Sequence, residues 1–191
     1  MPDQRRHATA PRYAVFLRGV NVGGVKVPMA ELRAMAEAMG FSGVKTLLQS
    51  GNLVLADPKA RPAAELETLL EAEAKGAFGR AIDFMIRTPE ELDAAIAANP
   101  FPEMAKDDPS HLVVHFLKGN APDHAAIAAL NAAISGPERA ATAGRELYIT
   151  YPDGIGTSKL SNSLIEKMLG KQRATGRNWN TVLKMAALLA G

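Results

Sequence analysis

Apolar positions recur along this chain in two rhythms, and the switches between them outline its elements. Tyr13 to Leu17 is a short unbroken apolar run with aromatic and β-branched members that ends at a glycine turn, which predicts a buried strand. From Pro28 the period lengthens. Met29, Leu32, Met35 and Met39 recur at helical spacing, Pro28 suits a first helical position, and Gly40 suits the stop. Strand-like runs at 44–48 and 53–56 flank Gln49, Ser50, Gly51 and Asn52, a hairpin signal because glycine and asparagine tolerate positive φ. A helix over 62–78, with Leu66, Leu69, Leu70, Ala74 and Phe78 on one side, and a strand over 82–86 complete the order β, α, β, β, α, β. That order is the ferredoxin-like signature.

Thr88, Pro89 and Glu91 make a capping box for a helix that stops at Asn99 and Pro100. Phe101 to Pro109 is polar and proline-bearing and reads as a linker. The grammar then restarts with a strand over 112–117, a helix over 123–134, strands near 138–142 and 146–151, and helices over 158–169 and 178–190. The expectation is an α+β chain in four parts. Residues 1–11 form a disordered head, 12–99 a ferredoxin-like βαββαβ half, 100–110 a linker, and 111–191 a second βαββα half closed by a C-terminal helix.

Composition narrows the class. A chain of 191 residues buries about 70% of its unfolded surface and needs no covalent staples. The lack of cysteine removes disulfides, thiolate metal sites and cysteine nucleophiles, and suits a reducing compartment, so a cytoplasmic location is expected. No apolar run nears the roughly 18 residues of a membrane span, and no membrane partner is expected. Net charge is only 22 − 20 = +2, yet it is unevenly spread. Residues 12–56 carry five Lys or Arg against two acids and residues 155–191 six against one, whereas 57–110 hold twelve acids and six bases. An electropositive face must therefore be built from the two ends of the chain.

Strand direction alternates through a ferredoxin-like unit, so the turn after the first strand and the hairpin after the second fall on one edge of the sheet. Arg18, Asn21, Gly23, Gly24 and Lys26 are thus expected to face Ser50 and Asn52. Glycines let backbone amides approach a ligand, the following helix N-terminus favours negative charge, and Arg18 and Lys26 add full charges, which together describe an anion site. Gly19 to Gly24 has the spacing of a phosphate-binding loop, but Val25 stands where that motif requires lysine and Val27 where it requires Ser or Thr. The competing role for these glycines is simply to turn the chain. Near the C-terminus, Asn178 is a good N-cap, while Arg177, Asn180 and Lys184 are harder to explain as packing. Arg177, Asn178 and Asn180 are expected to complete the anion site.

Other chemistry is thinner. Trp179 lies on the Val182, Leu183, Ala186 side of its helix, as a core anchor does. His111 and His115 sit four residues apart on a strand, about 13 Å, too far to share an ion. Thr157 or Ser158 suits an N-cap, and Asp57 and Asp153 read as ordinary turn residues. No nucleophile elbow and no Ser, His, Asp order appears, so no catalytic residue, metal or cofactor is assigned.

Taken together, Phe16-Leu17-Arg18-Gly19-Val20-Asn21-Val22-Gly23-Gly24, Leu48-Gln49-Ser50-Gly51-Asn52 and Arg177-Asn178-Trp179-Asn180-Thr181-Val182 resemble the signature of a bacterial family catalogued as domain of unknown function 1697. The resemblance covers most of the chain. It implies an α+β fold with ferredoxin-like elements, and it brings neither an established activity nor catalytic residues. The expected function is a binding module for a phosphate-bearing ligand, either nucleic acid or a nucleotide-like metabolite. The alternatives are an enzyme acting on a phosphorylated small molecule through positioning and electrostatics, and a protein-interaction scaffold that uses the acidic middle.

Overall fold

One order of elements occurs twice. The computed structural model describes residues 10–21 and 26–191. The first half runs β1 (Arg12–Leu17), α1 (Met29–Ala38), β2 (Ser42–Thr46), β3 (Asn52–Ala56), α2 (Ala63–Phe78), β4 (Phe84–Arg87) and α3 (Pro89–Ala97). A short helix, α4 (Pro102–Asp107), follows. The second half runs β5 (Leu112–Leu117), α5 (His124–Ala133), β6 (Arg139–Ala143), β7 (Glu146–Thr150), α6 (Asn162–Met168), β8 (Ala174–Asn178) and α7 (Trp179–Ala190). The sheets have the orders β2-β3-β1-β4 and β6-β7-β5-β8, antiparallel throughout. Both halves are therefore α+β units of the ferredoxin-like kind, each followed by one further helix.

Three features differ from the sequence pattern. The second half is βαββαβ rather than βαββα, because Ala174–Asn178 is a strand. Its alternation is hidden, since the inward positions are Thr175 and Arg177, polar groups that are buried and bonded to carbonyls. The expected linker over 100–110 contains α4, and Phe101, Met104 and Ala105 pack onto the core shared by both halves. Helix α6 starts at Asn162, capped by Ser161, and not at residue 158, whose Ser158 hydroxyl instead bonds Glu138 and accepts from the Leu160 amide. The expected head, 1–11, lies largely outside the described residues.

Period-two alternation decides the layers. Tyr13, Val15 and Leu17 of β1 face α1 and α2, whereas Ala14 and Phe16 face the other sheet. Phe16 and Phe116 meet there as a stacked pair, with ring centroids 4.0 Å apart and planes within 7°. Such a pair adds about 0.5 to 1.5 kcal/mol beyond its area burial. Leu92 of α3 and Trp179, Val182, Met185 and Leu189 of α7 close this central core, with Trp179 in the anchoring role expected of it. Among the described residues no helix is long and apolar enough to cross a membrane.

Candidate functional site

Strand pairing aligns the halves residue by residue. Ala14 pairs with Arg87 and Phe16 with Asn52 in the first sheet; in the second, Val114 pairs with Arg177 and Phe116 with Glu146. Arg87 and Arg177 therefore occupy the same place, as do Asn52 and Glu146. Each guanidinium reaches across to the other half. Arg87 donates Nη2–H to Leu117 O at 2.8 Å and lies over the Phe116 ring; Arg177 donates Nη2–H to Leu17 O at 2.7 Å and lies over the Phe16 ring. Their charges are treated differently. Arg87 donates Nε–H to Glu146 Oε1 at 2.7 Å, an ion pair, whereas Arg177 donates Nε–H to the neutral amide oxygen of Asn52. Its other donors go to Thr175 Oγ1 and to the carbonyls of Gly176, Ser50 and Gly51. Among the described residues no carboxylate pairs with Arg177. Burial lowers its guanidinium to about 10, so it stays charged at neutral pH.

The outer edges of the two sheets show a second difference. In an antiparallel ladder, alternate residues turn their amides away from the neighbouring strand. On β4 these outward amides are Phe84 and Ile86, which donate to Glu71 Oε1 at 3.0 Å and Glu67 Oε1 at 2.9 Å, one turn apart on α2. On β8 their counterparts are Ala174 and Gly176. Ala174 donates to Glu166 Oε1 of α6 at 3.3 Å, so Glu166 stands for Glu71. One turn earlier, where Glu67 would recur, α6 has Asn162. No described residue accepts from the Gly176 amide. Around Arg177 and Gly176 two carboxylates of the partner arrangement are thus missing: Asn52, in the first half, stands where the second half has Glu146, and Asn162, in the second half, stands where the first has Glu67.

Between these groups lies a cavity of about 250 Å³ lined by Arg18, Gly19, Ser50, Asn162, Gly176 and Arg177, among others. The three segments singled out in the sequence converge here. Their residues also have structural duties. Arg18 is bonded through Nε and Nη2 to Glu166, and its Nη1 is 3.7 Å from Asp83, which also accepts from Arg173. Asn21, at φ 57°, ties the turn together by accepting from Val27 N–H at 2.9 Å and donating to Val27 O and Gln49 O. Asn52 is buried and donates to Leu47 O and Ser50 Oγ. Asn178 caps α7, accepting from Thr181 N–H and Oγ1. Lys26 and Asn180 are exposed and do not line the cavity, and Gly23 and Gly24 lie outside the described residues.

Helix α2 continues one turn before Glu67, to Ala63, whereas α6 begins at Asn162 and has no such turn. Over the corresponding part of the second sheet lies a cavity of about 530 Å³, lined by Val113, His115, Tyr151, Ile155 and Asn162 with the glycines 154, 156 and 176. His115 stands where Val15 does. It is 2% exposed, its Nε2 has no partner among the described residues, and burial next to Arg177 lowers its imidazole to about 4. Sequence reasoning considered His115 only as a metal ligand. The available signal was a lone polar residue in the apolar run of β5, where β1 has none at the same place.

The chain has no match among curated proteins. Solved structures similar to it include that of the conserved bacterial protein SP0830 from Streptococcus pneumoniae, with a TM-score of 0.72 at 22% identity, covering 95% of this chain and 99% of that one. At that identity the likeness bears on the fold. The family described as "Protein of unknown function (DUF1697)" matches residues 11–148, which include the glycine turn and the hairpin of the candidate site. The chain belongs to that family.

Proposed function

We propose that this protein is a binding module for a phosphate-bearing ligand, whose anionic group sits in the cavity between Arg18, Ser50, Gly176 and Arg177. The observation that carries this reading is the pair of missing carboxylates. Where the first half holds a buried arginine against Glu146 and an edge amide against Glu67, the second half has Arg177 against Asn52 and a Gly176 amide with no acceptor among the described residues. A buried cation without a counter-charge is costly, and an anion arriving from solvent offsets that cost. Gly176 has no side chain of its own beside that N–H, and main-chain N–H groups left free by the ladder are a common kind of anion donor. The other arginine of the lining, Arg18, is matched by Glu166 and Asp83, so the unmatched charge is that of Arg177.

Calorimetric titration of the full chain with inorganic phosphate and pyrophosphate, at low and high salt, tests the reading. Saturable binding that weakens as salt rises is expected, because the contact is between charges at a partly open site. No heat at low salt, with no rise in melting temperature, overturns it. Oligonucleotides added in parallel separate a nucleic-acid partner from a small molecule, since only the former gives a steep, multi-charge salt dependence.

A further inference from the structure

The cavity over His115 adjoins the anion cavity, and the two share Asn162 and Gly176 as a common wall. Their chemistry is unlike. The anion cavity holds two arginines, whereas the lining of the His115 cavity contains no Asp, Glu, Lys or Arg. It offers apolar surface from Val113 and Ile155, hydrogen-bonding groups from Tyr151 and Asn162, and a buried imidazole whose Nε2 is unpartnered among the described residues. A buried polar atom without a partner costs stability, and its persistence in a roomy cavity points to a ligand that completes it. At about 530 Å³ the space falls within the range of small-molecule sites. Its edge is tightly fitted: a Cβ on Gly176 would lie 3.0 Å from His115 Cε1 and Val113 Cγ1, so a side chain there would press on the ring.

We infer that the ligand is a free nucleotide, its phosphate at the Arg177 cavity and its uncharged heterocyclic base against His115. This rests on the phosphate reading of the neighbouring cavity and names the ligand class for it. The neutral imidazole both donates and accepts, which matches the mixed donor and acceptor edge of a base. Two adjoining spaces, one charged and one uncharged, match the two ends of a nucleotide better than they match a polymer backbone, whose charge repeats along its length.

The test titrates the full chain with inorganic phosphate, with the four common nucleosides, and with their 5′-monophosphates, and repeats the series on His115→Leu. At least one monophosphate is expected to bind roughly tenfold or more tighter than phosphate, the gain of about one well-made hydrogen bond with some apolar contact. His115→Leu is expected to reduce that monophosphate to the affinity of phosphate while leaving phosphate itself unchanged. The ¹⁵N signals of the His115 ring in the unaltered protein are expected to move with the monophosphate and not with phosphate, a readout independent of how the variant folds. Phosphate binding with no gain from any base, or a gain that survives His115→Leu with the ring signals unmoved, overturns this inference and leaves the phosphate reading standing. Nucleoside binding without phosphate binding overturns the phosphate reading and, with it, the nucleotide. Preference for oligonucleotides over every monophosphate also overturns it.

Discussion

Arg87 and Arg177 occupy the same position in the two halves and clamp the halves reciprocally, yet Arg87 is neutralised by Glu146 while Arg177 meets Asn52. Both guanidinium groups are buried, at 1% and 7% exposure, so the presence or absence of a carboxylate matters more here than at a surface. Glu146→Gln leaves Arg87 as a second unmatched cation. It is expected to lower stability by about 3 to 5 kcal/mol, the usual cost of breaking a buried pair from one side. Denaturant unfolding measures this, and a loss below about 1 kcal/mol contradicts the account of the clamp.

The hairpin is held against the glycine turn by a close approach at Gly51. Its φ is +75°, and a Cβ there would lie 2.4 Å from Val20 Cγ2 and 2.8 Å from Leu17 Cβ. Gly51→Ala is expected to cost about 2 to 5 kcal/mol, combining left-handed strain with overpacking. Gly19, at φ +66° but with open space around it, provides the control, since Gly19→Ala carries the strain alone, about 1 kcal/mol. Equal losses in the two variants contradict the claim that the hairpin and turn are packed together.

Stability is expected to fall with acid in two windows. His115 is lowered from 6.5 to about 4 by burial and by Arg177, so the unfolded chain binds its proton first. Its contribution is complete above pH 6.5 and is lost as pH falls to about 4, a change of about 3 kcal/mol. Asp57 is lowered from 3.8 to about 2 by its hydrogen bonds from the Arg61 side chain, and its contribution of about 2 kcal/mol is lost between those values. Unfolding free energies measured from pH 7 to 2 should lose the upper slope in His115→Leu and the lower one in Asp57→Asn. An unchanged profile in either variant contradicts the assignment.

Much of the fold was legible because its strands and helices announce themselves by period. The run Tyr13 to Leu17 and the stripe Met29, Leu32, Met35 are found where their apolar patterns put them. Strand β8 was not legible, because its buried side chains are Thr175 and Arg177, which satisfy carbonyls of the other half instead of presenting apolar surface. The convergence of the Arg18 turn, the Ser50 hairpin and the Arg177 segment followed from chain parity and charge. The roles within it did not. That Arg18 is matched by Glu166, that Asn21 ties its own turn, and that Gly176 carries the open amide all depend on the alignment of the two halves. The halves share a plan of pairing without sharing residues, so the counterparts of Glu67 and Glu146 in the opposite halves, Asn162 and Asn52, are recognisable only from strand register.

The same register supplies the most direct test of the phosphate site. Asn162→Glu gives the second half the carboxylate that Glu67 gives the first, within reach of the Gly176 amide and close to Arg177. Phosphate affinity of this variant, measured by calorimetry beside the unaltered protein, is expected to fall at least about tenfold while the melting temperature is unchanged or raised, since an internal anion replaces the external one. Phosphate binding as tight in Asn162→Glu as in the unaltered protein would contradict the proposed site.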